Sequence, residues 1–453
     1  MAVDWRILSA VPGAEWPAVA APGADAALAL LFQLERTQWL SPARLRELQL
    51  RQVGVALRHA WATVPYYRER WRGVYDSALE LTDKSFAALP LLTRRDLQLC
   101  FETLTSRDIP AAHGAVGESR TSGSTGAPVR VLKTHFSALM WNACTLRDHA
   151  WHRRDLGGKL AAIRHGVTPG DFDNWGQATE GLVATGPAVV RGIEQDAASQ
   201  LEWLERENPD YLITHPSMAA ELARLAIEHG TRLPRLREVR TYGELLMPET
   251  RALCREAWAV PVTDTYSSNE VGYIALQCPQ HEHYHVQSES LLVEVLDDAG
   301  APCAPGAVGR IVATTLHNFA MPLVRYELGD YAEVGDACDC GRGLPVLKRI
   351  IGRVRNMLVT ATGERFWPAL GLRALMDVAP ILQYQLVQKD FVRVDAKLVT
   401  ACPLTPKQEE RLRRAILSRL PAGMELQFTY CESIPRSVGG KYEDFVCEVG
   451  VAR

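Results

Sequence analysis

Thr121-Ser122-Gly123-Ser124-Thr125-Gly126, followed by Ala127-Pro128-Val129, places four hydroxyls and two glycines in six residues. No side chain there is large enough to hold a ligand away from the backbone. Consecutive amides and hydroxyls can therefore turn toward phosphate oxygens. Taken alone, the same residues equally suit a flexible Ser/Gly turn. The stretch is not a Walker loop, because no Gly-Lys-Ser/Thr follows, and it lacks the G-x-G-x-x-G of dinucleotide sites. Val129-Arg130-Val131-Leu132 reads as a strand, so the loop is expected to join two strands rather than a strand and a helix. Its meaning depends on whether the rest of the chain supplies a nucleotide's other partners.

With 453 residues the chain is too long for one ordinary core, and about three domain-sized units are expected. Its 47% hydrophobic and 23% charged residues are those of a globular protein. A net charge of −3 gives no basic footprint for nucleic acid. The most apolar early stretch, Ala18 to Leu34, is broken by Pro22 and Asp25, and no membrane span is expected. Asp4 precedes the first arginine without a basic run, so no signal peptide is expected. Ten cysteines spread over this length lack disulfide density, which places the expected compartment in the reducing cytoplasm.

Residues 1–110 read mainly as helix. Ser41-Pro42 is a hydroxyl cap followed by Pro at the first turn, and Leu45, Leu48, Val53 and Leu57 give the helical face. Val64-Pro65-Tyr66-Tyr67-Arg68 breaks that helix, and Leu89-Pro90-Leu91-Leu92-Thr93 opens another with Thr93 as cap. Residues 135–155 read as helix. Strand signals at Leu160–Ile163, Tyr211–Thr214, Glu238–Tyr242 and Val262–Tyr266 alternate with helix, including one from Ser217 to Glu228 with Ser217 as its cap and Gly230 as its stop. That order predicts an α/β layer with a mainly parallel sheet. Leu291–Leu296 and Gly309–Thr315 predict a smaller antiparallel, barrel-like part. A compact α+β unit follows from about residue 356, with Thr405-Pro406-Lys407-Gln408 capping its helix.

Four further stretches carry chemistry. In Asp264-Thr265-Tyr266-Ser267-Ser268-Asn269-Glu270 a strand-end Tyr can lay its ring on a purine, and the carboxylate four residues on can hold Mg2+ against phosphate. In Arg325-Tyr326-Glu327-Leu328-Gly329-Asp330 an Asp after Gly can accept both hydroxyls of a ribose. Ile351-Gly352-Arg353 offers a cation. Pro435-Arg436-Ser437-Val438-Gly439-Gly440-Lys441 sets a compact cation at the end of a Gly-rich loop. Singly, each reads as well as an ordinary turn or strand edge; together and in this order they are far more specific.

The set resembles the adenylate-forming superfamily of acyl-CoA ligases, luciferases and adenylation domains. Val64–Arg68 and Leu89–Thr93 resemble its phenylacetate-CoA ligase-like branch, and the resemblance covers nearly the whole chain. It implies an α/β fold: a large N-terminal domain, residues 1–353, of mixed mainly parallel sheets with helices and a small barrel-like part, its first 110 residues a helical shoulder. A small mobile α+β lid, residues 354–453, would carry Lys441. Thr121, Ser122, Gly123, Ser124, Thr125 and Gly126 would bind phosphate, Tyr266 stack on adenine, Glu270 bind Mg2+, Asp330 hold the ribose, and Gly243, Glu244 and Arg353 also contact the nucleotide. Lys441 would bridge the carboxylate and the α-phosphate. Arg355 stands at the hinge, where the family pattern has Asp or Lys; Ala127 replaces a common Lys, and Asn269 replaces Ser or Thr.

The implied reaction joins a carboxylic acid to ATP, giving acyl-AMP and pyrophosphate, and then passes the acyl group to CoA. An amine or a carrier-protein thiol is the alternative acceptor. A non-catalytic nucleotide-binding scaffold is opposed by the joint presence of Glu270, Asp330 and Lys441. Trp141, His165, His215 and Tyr242 are candidate substrate-pocket residues, favouring an aryl or arylacetic acid. A homodimer is compatible with this reading.

Cys278-Pro279-Gln280-His281-Glu282-His283-Tyr284-His285 and the later Cys338-Asp339-Cys340 form a separate cluster. Thiolates with imidazole suit tetrahedral Zn2+. By the branch's spacing the expected structural ligands are Cys278, His285, Cys338 and Cys340, with His281 as the rival histidine.

Overall fold

The computed structural model describes residues 5–121, 128–353, 356–366, 368, 375–437 and 440–449. Up to residue 110 the secondary structure is helical. Pro42–Thr63 starts where the Ser41 hydroxyl accepts the Arg44 N–H, and ends before Pro65, which opens the short helix Pro65–Arg70. Thr93 and Asp96 form a reciprocal capping box at the next start.

The strands, in chain order, are β1 (Val116–Arg120), β2 (Arg130–Thr134), β3 (Leu160–Arg164), β4 (Gly170–Phe172), β5 (Ala188–Gly192), β6 (Tyr211–Thr214), β7 (Glu238–Tyr242), β8 (Val262–Ser268), β9 (Gly272–Gln277), β10 (Tyr284–Val286), β11 (Leu291–Leu296), β12 (Val308–Thr315), β13 (Tyr326–Val334), β14 (Val346–Arg353), β15 (Leu358–Val359), β16 (Arg365–Phe366), β17 (Ile381–Gln388), β18 (Arg393–Thr400), β19 (Glu425–Tyr430) and β20 (Phe445–Cys447). β1 and β2 form the antiparallel hairpin expected on either side of the Ser/Gly stretch. The neck of its loop is closed by Thr121, whose N–H donates to the Val129 carbonyl and whose Oγ1 accepts the Val129 N–H.

One twelve-stranded sheet organises the larger part of the molecule, in the order β11-β12-β13-β14-β10-β9-β8-β7-β6-β3-β5-β4. β8, β7, β6, β3 and β5 run parallel. From β8 onward to β11 every neighbour is antiparallel. The antiparallel part is thus continuous with the parallel part through the β8/β9 ladder. Helices Ala197–Glu207, Pro216–His229 and Pro248–Trp258 bury Leu204, Leu222, Ala226 and Ala257 against Leu212, Val239 and Val262 of the parallel strands. His135–Trp151 packs Ala143, Cys144 and Trp151 with Leu34, Leu45, Tyr273 and Leu276.

The cap of helix Pro216–His229 lies two residues before the expected Ser217. His215 is the cap position, Pro216 is the first helical residue, and Gly230 ends the helix in the left-handed region. Ser217 therefore lies inside the first turn, where its own N–H needs a partner.

Towards the C-terminus, β19-β18-β17-β20 make a separate sheet. Helix Pro406–Leu417, capped by Thr405 and Gln408, buries Leu412 and Ile416 against Leu386, Leu398 and Phe445. No helix among the described residues is long and apolar enough to cross a membrane.

Candidate active site and metal centre

The parallel strands all deliver their carboxyl ends to one edge, where a doubly wound sheet leaves its crevice. β3 ends beside His165, β5 beside Ile193, β6 beside His215, β7 at Tyr242 before Gly243, and β8 through Tyr266. The loop that carries Lys441 is seated on these ends. Gly440, at φ +72°, approaches so closely that a Cβ there would lie 2.6 Å from His165 Cβ and 3.0 Å from Ile193. Gly243, at φ +80°, is less tightly confined: its Cβ would stand 3.0 Å from His215 Cε1 and 3.6 Å from Lys441 Cε. Both positions favour glycine for conformation, and Gly440 requires it for space as well.

Glu244 fastens this contact. Its Oε2 accepts the N–H of Ser217 at 2.9 Å and its Oε1 the N–H of Tyr442 at 2.6 Å. The same carboxylate thus satisfies an unpaired donor in the first turn of helix Pro216–His229 and holds the residue after Lys441. Arg436 reinforces the seat, donating to Ser217 Oγ at 2.6 Å and lying 3.6 Å from both Glu244 and Glu221. Burial, and next the Arg353 guanidinium, lower the Lys441 ammonium from the ordinary lysine range, against the pull of Asp330, Glu244 and Glu270.

The two remaining carboxylates come from the antiparallel half. β13 and β14 pair Asp330 with Arg353. Arg353 Nε donates to Asp330 Oδ1 at 3.1 Å, and Tyr266 Oη donates to Oδ2 at 2.7 Å. Burial, then Asp330, raise the Tyr266 phenol well above its usual range, so it stays a donor. Glu270 is buried at 7% exposure, and its ion-pair partner among the described residues is Arg94, at 3.3 Å. Arg94 also reaches Thr121 Oγ1 at 3.4 Å. It joins the loop neck to Glu270, a role invisible in sequence except for its place directly after the Thr93 cap.

The expected site residues Tyr242, Gly243, Glu244, Tyr266, Glu270, Asp330, Arg353 and Lys441 thus gather at one edge. His165 and His215 are there too. His165 Nδ1 meets Glu194 at 2.7 Å, and His215 Nδ1 donates to the Tyr242 carbonyl at 3.0 Å. Burial lowers the His215 pKa, so the ring is neutral. Trp141 stands apart from them. It packs on Tyr273, ring centroids 4.3 Å apart, and lines a cavity of about 230 Å³ against Glu270. Ser122, Gly123, Ser124, Thr125, Gly126 and the expected hinge residue Arg355 lie outside the described residues.

At the second cluster, Cys278, His283, His285 and Cys338 bring their ligand atoms within 4.8 Å of one another. Cys340 Sγ is 3.4 Å from His285 Nε2. Four expected ligands are therefore together, and His283 joins them as a fifth donor; its Nε2 is buried without a hydrogen-bond partner. His285 donates Nδ1–H to the Leu344 carbonyl at 3.5 Å, and burial pushes its pKa down to about 4, leaving Nε2 as a lone pair. His281 instead pairs with Asp339 at 2.5 Å. An orphaned imidazole among thiols is a donor set that fits Zn2+.

A family model described as "AMP-binding enzyme" matches residues 120–320, and one described as "CapK C-terminal domain" matches residues 371–448. Phenylacetate-coenzyme A ligase of Thermus thermophilus is 26% identical over 386 residues, covering 79% of this chain and 81% of that protein. The enzyme of the same name from Pseudomonas putida is 24% identical over 445 residues, covering 92% and 96%. The crystal structure of 2-hydroxyisobutyryl-CoA ligase in the postadenylation state superimposes with a TM-score of 0.73 at 19% identity, covering 91% of this chain and 92% of that one.

Proposed function

We propose that this chain, a member of the adenylate-forming superfamily in its phenylacetate-CoA ligase-like branch, activates a carboxylic acid with ATP and transfers the acyl group to CoA. The observation that carries the reading is the meeting of Lys441, Asp330 and Glu270, from three separate parts of the sequence, at one sheet edge.

A carboxylate is a poor electrophile until its oxygen bears a good leaving group. In the first step the acid's oxygen attacks the α-phosphorus of ATP, a P–O bond to pyrophosphate breaks, and acyl-AMP forms. In the second the CoA thiol attacks the acyl carbon, and AMP leaves. Asp330, fixed by Tyr266 and Arg353, is oriented to accept the ribose hydroxyls, with the Tyr266 ring as adenine platform. Lys441, brought against Gly243, meets the charge that builds up on the α-phosphate. Its burial strengthens that interaction because little water competes. Gly243 and Glu244 complete the nucleotide side. Glu270, a buried carboxylate at the Thr121 end of the site, fits Mg2+, which when bound supplies charge neutralisation on the phosphates. Zn2+ on Cys278, His285, Cys338 and either His283 or Cys340 would tie the β9–β10 connection to the segment after β13, as a structural ion.

The division at residue 353, the turning of the 354–453 part between the two steps, and an aryl or arylacetic acid as substrate belong to the same reading. So does a cytoplasmic setting. Pyrophosphate exchange measured over a panel of carboxylic acids tests it: exchange with one class of acid supports adenylation, and none with any acid sinks it. CoA, hydroxylamine or a carrier protein added to the active acid then identifies the acceptor.

A further inference from the structure

Past Glu270, the cavity of about 230 Å³ is unused by the roles assigned above. It is walled by the start of helix His135–Trp151, by Val271–Tyr273 and by the segment that follows β12. Two basic side chains line it, Lys133 and His317. His317 Nε2 donates to the Glu289 carbonyl at 2.8 Å, and burial lowers its pKa, so it is neutral. Lys133 is different. No hydrogen-bond or ion-pair partner among the described residues reaches its ammonium. Burial lowers its pKa, and the Glu270 carboxylate opposes this. A half-buried cation with no partner among the described residues carries a desolvation cost, and an anion entering the cavity would relieve it.

Two anions come to Glu270 in the proposed reaction, the polyphosphate and the acid. Their surroundings in the structure differ. Lys441, Gly243, His165 and His215 gather at the strand ends, and none of them lines this cavity. Glu270 is shared by both regions. With the α-phosphate at Lys441, the part of ATP that continues past Glu270 is its β,γ end. Lys133 lies on β2, the strand that leaves the Ser/Gly loop, paired with Gly117 of β1. The stretch Thr121 to Ala127 contains no basic residue.

Resting on the adenylation reading, we propose that Lys133 is a binding residue for the β- and γ-phosphates of ATP and for the departing pyrophosphate. Ammonium and phosphate form a charge-assisted pair, and the Met140, Trp141 and Tyr273 walls keep water from weakening it.

The test compares ATP and AMP binding to the full-length protein and its Lys133→Ala and Lys133→Arg variants by calorimetry, beside pyrophosphate exchange with an active acid. AMP lacks the two phosphates in question. Lys133→Ala should weaken ATP about tenfold and raise KM for pyrophosphate by a similar factor, as for loss of one charged hydrogen bond, with AMP affinity unchanged. Lys133→Arg should recover most of the ATP affinity. Unchanged ATP binding, an equal loss for ATP and AMP, or a rise confined to KM for the acid overturns the proposal; the last would make the cavity the acid's. If Lys133→Ala does not fold, Lys133→Gln serves in its place. Failure of the unaltered protein to bind ATP or exchange pyrophosphate sinks the adenylation reading, and this proposal with it.

Discussion

Tyr442 donates its backbone N–H to Glu244 Oε1 at 2.6 Å. The donor is the residue after Lys441 and the acceptor is the residue after Gly243. This hydrogen bond therefore sets Lys441 against Gly243, and the second Glu244 oxygen ties the pair to helix Pro216–His229. Glu244→Ala removes both acceptors. Hydrogen bonds to a charged group contribute about 1.5–3 kcal/mol, so pyrophosphate exchange should fall about tenfold or more. Thioester formation from separately prepared acyl-AMP should change far less; an equal loss in both steps would count against a seat specific to adenylation.

In the proposed reaction Lys441 serves as a cation, and its pKa is lowered by burial and by Arg353. Charge is lost as pH rises through that lowered value. The adenylation rate should accordingly decline on the alkaline side at a pH below the ordinary lysine value of about 10.4. Lys441→Arg should shift this limb upward, because guanidinium stays charged, and Lys441→Ala should reduce acyl-AMP formation by roughly a hundredfold or more. A pH–rate profile of pyrophosphate exchange checks both; an unchanged alkaline limb in Lys441→Arg would detach the limb from this residue.

The thiol–imidazole cluster should hold one zinc per chain, measurable by elemental analysis of purified protein. Cys278→Ser and Cys338→Ser should lose the metal and lower the thermal midpoint, since binding energy at such a site is also folding energy. Comparing His283→Ala with Cys340→Ser decides which completes the set: the variant that keeps the metal identifies the non-ligand. A metal-free protein with an unchanged midpoint would remove the site altogether.

Asp444, in the same segment as Lys441, is raised to about 6 by burial. A carboxyl raised in the folded state favours the protonated form. Its contribution to stability is fully present below the unfolded value of about 3.9 and is lost as pH rises through 6. Chemical denaturation of the full chain should show stability falling between about pH 4 and 6, by no more than about 3 kcal/mol. Asp444→Asn should flatten this dependence; a variant that weakens with pH as the parent does would assign the effect elsewhere.

Much of the architecture is legible in the sequence because it is encoded by neighbours. The Ser41, Thr93 and Thr405 caps and the stop at Gly230 each depend on residues within about one turn of each other, the β1–β2 hairpin on two short strands joined by one loop, and the structure carries them all. Ser217 misled for the same local reason: a hydroxyl before an apolar stripe resembles a cap, yet Pro216 already occupies the first helical position. Chemistry-bearing side chains such as Asp330, Glu270 and Lys441 could be picked out because their types and order suit a nucleotide. Their partners could not. Arg94 stands 176 residues from Glu270, and Tyr442 stands 198 from Glu244.

By itself, then, the sequence determined the α/β class, the capped helices, the phosphate-suited loop and the residue types able to activate an acid. Only the tertiary structure decided that Lys441 rests on Gly243, that Glu244 secures it, that His283 enters the thiol–imidazole cluster and that Lys133 faces the cavity beside Glu270. The physical reason is range. Helix and strand periods act over a few residues, whereas the sheet brings together the ends of strands far apart in the chain, and which side chains meet there depends on packing and register across the whole fold.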